Sequence, residues 1–327
     1  MIHLPEVVVD VHLGPDDLAA SLRHDVRDGL TRRCKELPPK WLYDEAGSAL
    51  FDQITRLEEY YPTAAEREIL LRHAATIIER AEAHTIVELG AGTSDKTRAL
   101  LDAGRDQGSL HRFIPFDVSE EFLRTTSDAL AEAYPGLAVH GVVGDFDRHL
   151  GRIPRDGERR MIVLLGGTIG NYPTEARAEF LRRIVDLLQP GDRFLLGTDL
   201  VKDPARMELA YDDRQGVTAA FNKNVLEVLN RELHADFDVD SFDHEATWDP
   251  HEEWMDLGLR SRRAQQVRVD ALDLDIAFSE GEYLRTEVSA KFRLPLLAEE
   301  LAAVGLEIEH WFTDVAGDFG VSLSVLR

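Results

Sequence analysis

In Val87-Glu88-Leu89-Gly90-Ala91-Gly92-Thr93-Ser94-Asp95-Lys96 an apolar run delivers the chain to Gly-x-Gly, and the context predicts a helix starting from Thr93 or Ser94. Two glycines without Cβ atoms let backbone come close to a ligand. Where a dinucleotide fingerprint has its third glycine this chain has Asp95, a carboxylate poorly placed for a pyrophosphate on a helix N-terminus. Asp117, in IPFDVS, follows Gly92 by twenty-five residues, near the spacing at which an acidic side chain accepts hydrogen bonds from ribose hydroxyls. Asp145 and Phe146, in GDFD, offer an acceptor and an aromatic edge to an adenine. Each has an ordinary alternative: a tight turn, a helix cap, a solvated Asp. Their weight comes from falling together, each at the end of an expected strand.

Those strands are short apolar runs: HTIVEL (84–89), RFIPF (112–116), LAVHGVV (137–143), MIVLL (161–165) and RFLL (193–196). Between them lie helical stretches, SEEFLRTTSDALAEAY with Ser119 as N-cap and TEARAEFLRRIVDLL with Thr174 in that role. Before them, Ile69, Leu70, Ile77 and Ile78 recur at helical spacing over 64–81. Strands alternating with helices of this length predict a parallel, doubly wound sheet, in which ligands bind outside the carboxyl ends of the strands. The alternation stops near Leu200. Residues 201–283 give helical patterns, including GVTAAFNKNVLEVLNRELHADF, and then the alternating QQVRVDALDLDIAF. LPLLAEELAAVG predicts a helix ending at Gly305, and LEIEHWFTDV and FGVSLSVLR a closing hairpin. The expected division is 1–61 as a first part of a second domain, 62–200 as the sheet core, 201–285 as an insertion joining 1–61, and 286–327 as the end of the core.

The balance of 37 basic against 61 acidic residues gives a net charge of −24, which repels phosphate backbones and anionic lipid. Neither nucleic-acid nor membrane partners are expected. Cys34 is the single cysteine, so no intramolecular disulfide and no cysteine-based zinc site can form. No leader pattern and no run near the roughly 18 apolar residues of a membrane span is found, so a cytoplasmic location is expected. No long exposed apolar stripe argues for an obligate partner, and a monomer is expected. Asp236, Asp238 and Asp240 match the opening of a calcium loop, but Ser241 stands where Gly is needed and Thr247 where Glu is needed. The 12 histidines show no HExxH spacing, and no metal is expected.

ELGAG, FDVS and GDF resemble the cofactor motifs of class I S-adenosylmethionine methyltransferases. A wider set covers nearly the whole chain: LPPKWLYDEAGSALFDQITRLEEYYPTAAE (37–66), LLGGTIGN (164–171), LGTDLVKD (196–203), AYDD (210–213), GVTAAFNKNVL (216–226), TEVSAKF (286–292) and WFTDVAGDFGVSL (311–323). Together they resemble the histidine Nα-methyltransferases of ergothioneine biosynthesis, which make hercynine by three methyl transfers. The resemblance implies a Rossmann-like class I methyltransferase sheet with a second, discontinuous substrate-binding domain. It implies S-adenosyl-L-methionine as cofactor, contacted by Gly90, Lys96, Asp117, Asp145 and Phe146.

It also implies that Asn171 and Tyr211 meet the amino acid's carboxylate and amine, with Tyr43 and Tyr60 closing around the amine. Taken alone, Tyr-Tyr-Pro is ordinary core packing and Asn171 an ordinary turn residue. Glu287 and Ser289 lie two apart, so in an extended segment they share a face, and a carboxylate beside a hydroxyl can grip both nitrogens of an imidazole. An isolated E-x-S is more often a solvent-facing edge; it is TEVSAKF within the resemblance that turns the balance. Because the sulfonium already carries an activated methyl group, no acid–base dyad is expected beyond substrate positioning. Three alternatives stay open: a methyltransferase of the same family acting on another amino acid, a nicotinamide-dependent oxidoreductase (disfavoured by Asp95), and a non-catalytic nucleoside-binding regulator.

Overall fold

The computed structural model describes residues 7–327 apart from Thr93 and Asp156, so Thr93 as a helix start lies outside the described residues. From the N-terminal side, β1 (Val8–Val11) is followed by α1 (Pro15–Thr31), the two-residue β2 (Lys35–Glu36) and α2 (Glu45–Ile54). The alternating part runs α3 (Tyr61–Ala81), β3 (Thr85–Leu89), α4 (Arg98–Gln107), β4 (Arg112–Asp117), α5 (Glu120–Ala133), β5 (Ala138–Val143), β6 (Arg160–Leu164), α6 (Thr174–Leu187) and β7 (Arg193–Asp199). Then come α7 (Pro204–Tyr211), α8 (Val217–Leu233), β8 (Phe242–Asp249), β9 (Trp254–Ser261), β10 (Gln265–Val269), β11 (Leu274–Phe278) and β12 (Tyr283–Ala290). The last elements are α9 (Leu294–Ala303), β13 (Leu306–Thr313) and β14 (Phe319–Leu326).

Eight strands form one sheet in the order β1-β5-β4-β3-β6-β7-β14-β13. β1 and β3 to β7 pair in parallel, and the closing hairpin adds β14 antiparallel to β7. β3 and β6 are buried along their whole length, as parallel strands are when helices cover both faces. On one face α3 supplies Ile69, Leu70 and Ile77; on the other α6 and α9 supply Phe180, Ile184, Leu297 and Leu301. The strand order reverses at β3, between β4 and β6, which is where such sheets open a crevice for a ligand.

A second, four-stranded sheet has the order β2-β12-β9-β8, and β10 and β11 form a separate hairpin. Leu22, Val26 and Leu30 of α1, Leu42, Ile54, Phe221 and Leu226 of α8, and Leu257 and Leu284 share one buried cluster. Residues 22–61 and 207–284, distant in sequence, are therefore packed on a common core.

Several local readings need correction. β1 lies on the larger sheet, pairing with the free edge of β5, and Leu13 and Leu18 pack there with Leu123 and Val143. An edge strand leaves unpaired backbone groups, and Val8–Val11 satisfies them. β12 runs across the expected 285/286 boundary and pairs with β9 through Ala290. α4 starts at Arg98: Ser94 has φ +52 and gives its hydroxyl to Glu88 instead of capping a helix. Pro173, not Thr174, is the N-cap of α6, its carbonyl accepting from Arg177 N at 2.8 Å. Ser119 does cap α5, accepting from Phe122 N. Asp145 and Phe146 fall just past the end of β5 at Val143.

Among the described residues no helix is long and apolar enough to cross a membrane, and no group of three His, Cys, Asp or Glu is placed to hold a metal ion. In the acidic stretch, Asp238 pairs with Arg263 and Asp243 with Arg262.

Candidate active site

At the carboxyl end of β3 the chain turns through Gly90 (φ +71) and Gly92 (φ +48), conformations that L side chains rarely adopt. A Cβ built on Gly92 meets no atom within 4 Å, so the loop leaves open space on that side. Gly90 N and Ala91 N donate to Phe116 O at 2.9 and 3.1 Å, tying the loop to the end of β4. Asp117 accepts from Gly92 N at 2.9 Å and from Ser119 N at 3.1 Å. Burial raises its carboxyl above the usual range, against the hydrogen bonds from Gly92, Ser119 and Val118. A carboxylate has about four acceptor sites, so capacity remains for a further donor.

Phe146 stacks on Phe116, ring centres 5.7 Å apart, and a Cβ on Gly90 would sit 3.5 Å from its ring. The expected adenine-side aromatic and the glycine loop are thus adjacent. Asp145 is differently engaged: its carboxylate accepts from Arg148 N at 2.8 Å and from Arg148 Nε at 3.0 Å. Beneath the loop, Glu88 accepts from Ser94 Oγ at 2.7 Å and from Thr97, and burial pushes its carboxyl up to about 7. Lys96 is paired with the fully buried Glu66 of α3, which also accepts from Gly166 N at 2.8 Å. A Cβ on Gly197 of β7 would lie 2.1 Å from Glu66 Oε1, so that glycine makes room for the carboxylate.

The residues expected to meet the amino acid gather where the two sheets meet. Leu200, just past β7, bridges Phe292, just past β12; Phe292 N donates to Asp199 O at 2.8 Å. From the β6 side, the turn Thr168–Asn171 approaches β12 so closely that a Cβ on Gly170 would sit 2.8 Å from Ala290 O. Gly170 thereby lets Asn171 reach Glu287, to which its side chain is hydrogen-bonded. Burial raises Glu287 to about 7, against the Lys291 charge and the Asn171 hydrogen bond.

Tyr43, Tyr60 and Tyr211 surround this carboxylate. Burial raises all three phenols well above 10, and the negative charge of Glu287 adds to each shift. Tyr60 meets Tyr211 edge-on at 5.9 Å, while Tyr43 packs edge-on against Phe51 and Phe221. Ser289, on the same strand face as Glu287, lies 2.8 Å from the Tyr211 hydroxyl.

Behind them is a buried charge cluster absent from the sequence reading. Lys291 donates to Tyr211 Oη at 2.8 Å and Ser289 Oγ at 2.7 Å, and pairs with Asp199 Oδ2 at 3.0 Å. Asp199 also accepts from Lys202 at 2.6 Å and from Tyr61 Oη at 2.9 Å. Burial lowers both lysines, and Asp199 opposes the shift. A signal for Lys291 was present: it is two residues past Ser289, so the alternation that paired Glu287 with Ser289 extends to it. Asp199 ends β7, where the strand-end rule also points. Glu66 carries no local signal, since its partners lie 30 and 100 residues away.

Comparisons with known proteins identify the family. The family described as histidine-specific methyltransferase, SAM-dependent, matches residues 22–326. The histidine N-alpha-methyltransferase of Mycolicibacterium smegmatis is 58% identical over 96% of this chain and 98% of its own length. That of Mycobacterium tuberculosis is 55% identical over 97% of this chain and 99% of its own. Ergothioneine biosynthesis protein 1 of Neurospora crassa is 36% identical over 60% of this chain and 23% of its own length. With a match over nearly all of its length, the chain belongs to the S-adenosylmethionine-dependent, histidine-specific methyltransferase family.

Proposed function

We propose that this protein transfers methyl groups from S-adenosylmethionine to the α-amino group of L-histidine, three times in succession, to give hercynine in ergothioneine biosynthesis. The observation that carries this reading is the placement of Glu287 and Ser289 side by side on β12, with Asn171 of the larger sheet hydrogen-bonded to Glu287. An acceptor and a hydroxyl at that spacing suit the two nitrogens of an imidazole. S-adenosylmethionine supplies an activated methyl group on a sulfonium. Its nucleoside fits the loop of Gly90 and Gly92, with Asp117 for the ribose, Asp145 and Phe146 for the adenine, and Lys96 bracing the loop through Glu66.

The chain's own residues then have one main task, to present an uncharged amine in line with the methyl group. Positioning of this kind contributes roughly 7–11 kcal/mol in favourable cases. Tyr43 and Tyr60, protonated at any working pH, orient the amine. Asn171 spends one N–H on Glu287 and keeps its second N–H and its carbonyl for the amino acid. Tyr211, committed to Ser289 and Lys291, acts on the ring side.

In this reading residues 22–61 and 201–285 form the substrate-binding unit over the methyltransferase sheet, and the common core of 22–61 with 207–284 supports it. The protein works as a cytoplasmic monomer on a small molecule, without nucleic acid or membrane. Mass spectrometry of histidine with the protein and excess S-adenosylmethionine tests the activity. Monomethyl, dimethyl and trimethylhistidine should appear in turn. A time course that ends at the monomethyl species overturns the trimethylation, and methylation of another amino acid in a mixture overturns the histidine assignment.

A further inference from the structure

We propose that Lys291 sets the hydrogen-bond polarity of the ring end of the site: it makes Ser289 a donor, so that Glu287 and Ser289 together accept only an uncharged imidazole. This rests on the assignment of Glu287 and Ser289 to the ring.

The inference follows from counting protons and lone pairs. An ammonium has three N–H donors and no acceptor. Lys291, with no exposed side-chain surface, spends all three, on Tyr211 Oη, Ser289 Oγ and Asp199 Oδ2. Each hydroxyl it meets has one hydrogen and two lone pairs, and one lone pair on each is now taken. The two hydroxyls are 2.8 Å apart, so one donates to the other. A phenol, with a pKa near 10, is a stronger acid than an alcohol and is the better donor of the two. Tyr211 therefore gives its hydrogen to Ser289. The Ser289 oxygen, accepting from Lys291 and Tyr211, has no lone pair left, and its own hydrogen must go outward.

Beside it, Glu287 is an acceptor. A neutral imidazole matches the pair, one N–H for Glu287 and one bare nitrogen for Ser289. An imidazolium has two N–H groups and no bare nitrogen, so it would set hydrogen against hydrogen at Ser289 and leave a buried group unmade.

The surrounding charges point the same way. Facing Lys291 are Asp199 of β7 and Glu287 of its own segment, with Lys202 beyond Asp199; the neighbouring Tyr61 and Tyr211 are neutral phenols held above their ordinary pKa. Asp199 and Glu287 set at most two negative charges against the two ammoniums, fewer when Glu287 is protonated, so a charged ring would add an unmatched cation. Lys291 is in this sense a positioning residue: it acts on the substrate through Ser289.

Nitrogen-15 NMR tests the inference. Ring-labelled histidine is bound to the protein with S-adenosylhomocysteine at about pH 6, below the ordinary imidazole pKa of about 6.5. The bound ring should show one protonated and one bare nitrogen; two protonated nitrogens overturn the proposal. In Lys291→Met, Ser289 is free to accept and the neighbouring cation is gone. The pH at which the bound ring becomes protonated should rise by at least about one unit, a tenfold change in proton affinity. An unchanged midpoint overturns the proposal. Calorimetry with S-adenosylhomocysteine reports whether the variant is folded; if it is not, the wild-type spectrum decides alone. Glu287→Gln separates the two readings: if it leaves the ring signals unmoved, the ring is not held by Glu287, and the site assignment fails together with the inference.

Discussion

Asp117 does two jobs at once, and its substitution should show both. Its carboxylate holds Gly92 N and Ser119 N, which pins the glycine loop, and in the proposed function it also accepts from the ribose. Asp117→Ala should weaken S-adenosylmethionine binding by about 1.5–3 kcal/mol, the range for a charged hydrogen bond. Titration calorimetry reads this directly, and unchanged affinity would remove Asp117 from the cofactor site. Residues at strand ends were readable because the parallel sheet dictates where ligands sit: Gly90, Asp117 and Phe146 needed only the strand pattern and the strand-end rule. Glu66 and Lys202 were not readable. Each is identified by a partner that only the folded chain supplies, Lys96 and Gly166 for one, Tyr61 for the other.

Helices, strands and turns carry a second set of consequences. The turn Thr168–Asn171 touches β12 through a glycine, so Gly170→Ala would force a methyl against Ala290 O, 2.8 Å from the ideal Cβ. The turn must move away from β12, taking Asn171 from Glu287. A displacement near 1 Å can cost about a hundredfold in turnover. Steady-state kinetics should show a loss of about that order in kcat, with S-adenosylhomocysteine affinity within about twofold of wild type. If turnover stays within about twofold, the turn does not position Asn171. At the end of β3, burial pushes the Glu88 carboxyl up to about 7 from its ordinary 4.5. Because the folded value is raised, its contribution to stability is fully present below about pH 4.5 and is lost as pH rises through about 7. The melting temperature should therefore fall between about pH 5 and 8, and Glu88→Gln should flatten that fall. Identical pH profiles in the two proteins would contradict the burial argument. Periodicity foretold most of the elements, including the closing hairpin. It misplaced the start of α4, because the loop bends through Ser94 at φ +52, and it gave no hint that Val8–Val11 would find the edge of β5.

The whole molecule carries a charge of −24, whereas S-adenosylmethionine is a net cation. Long-range attraction of this kind raises association rates at low salt and is screened at high salt. Stopped-flow binding should show the association rate falling about tenfold or more from roughly 0.01 M to 0.5 M ionic strength. A salt-independent rate would mean that the field does not reach the cofactor site. At this scale too, the strand–helix alternation visibly breaks off after β7, but the seam between the two sheets left no mark in the sequence, because β12 belongs to the smaller sheet by pairing and delivers Phe292 to the larger one. In the proposed function the substrate's ring is held from β12 and its amine from the larger sheet's Asn171, so that recognition would depend on both. Competition between histidine and phenylalanine, in wild-type protein and in Glu287→Ala, tests this most directly. A site built to hydrogen-bond a substrate group rejects an analogue lacking it by roughly 10⁴–10⁵. Wild type should show a strong preference for histidine, and Glu287→Ala should narrow it, chiefly by losing histidine turnover, with S-adenosylmethionine affinity nearly unchanged. Full histidine preference in Glu287→Ala would contradict the reading of the imidazole at β12.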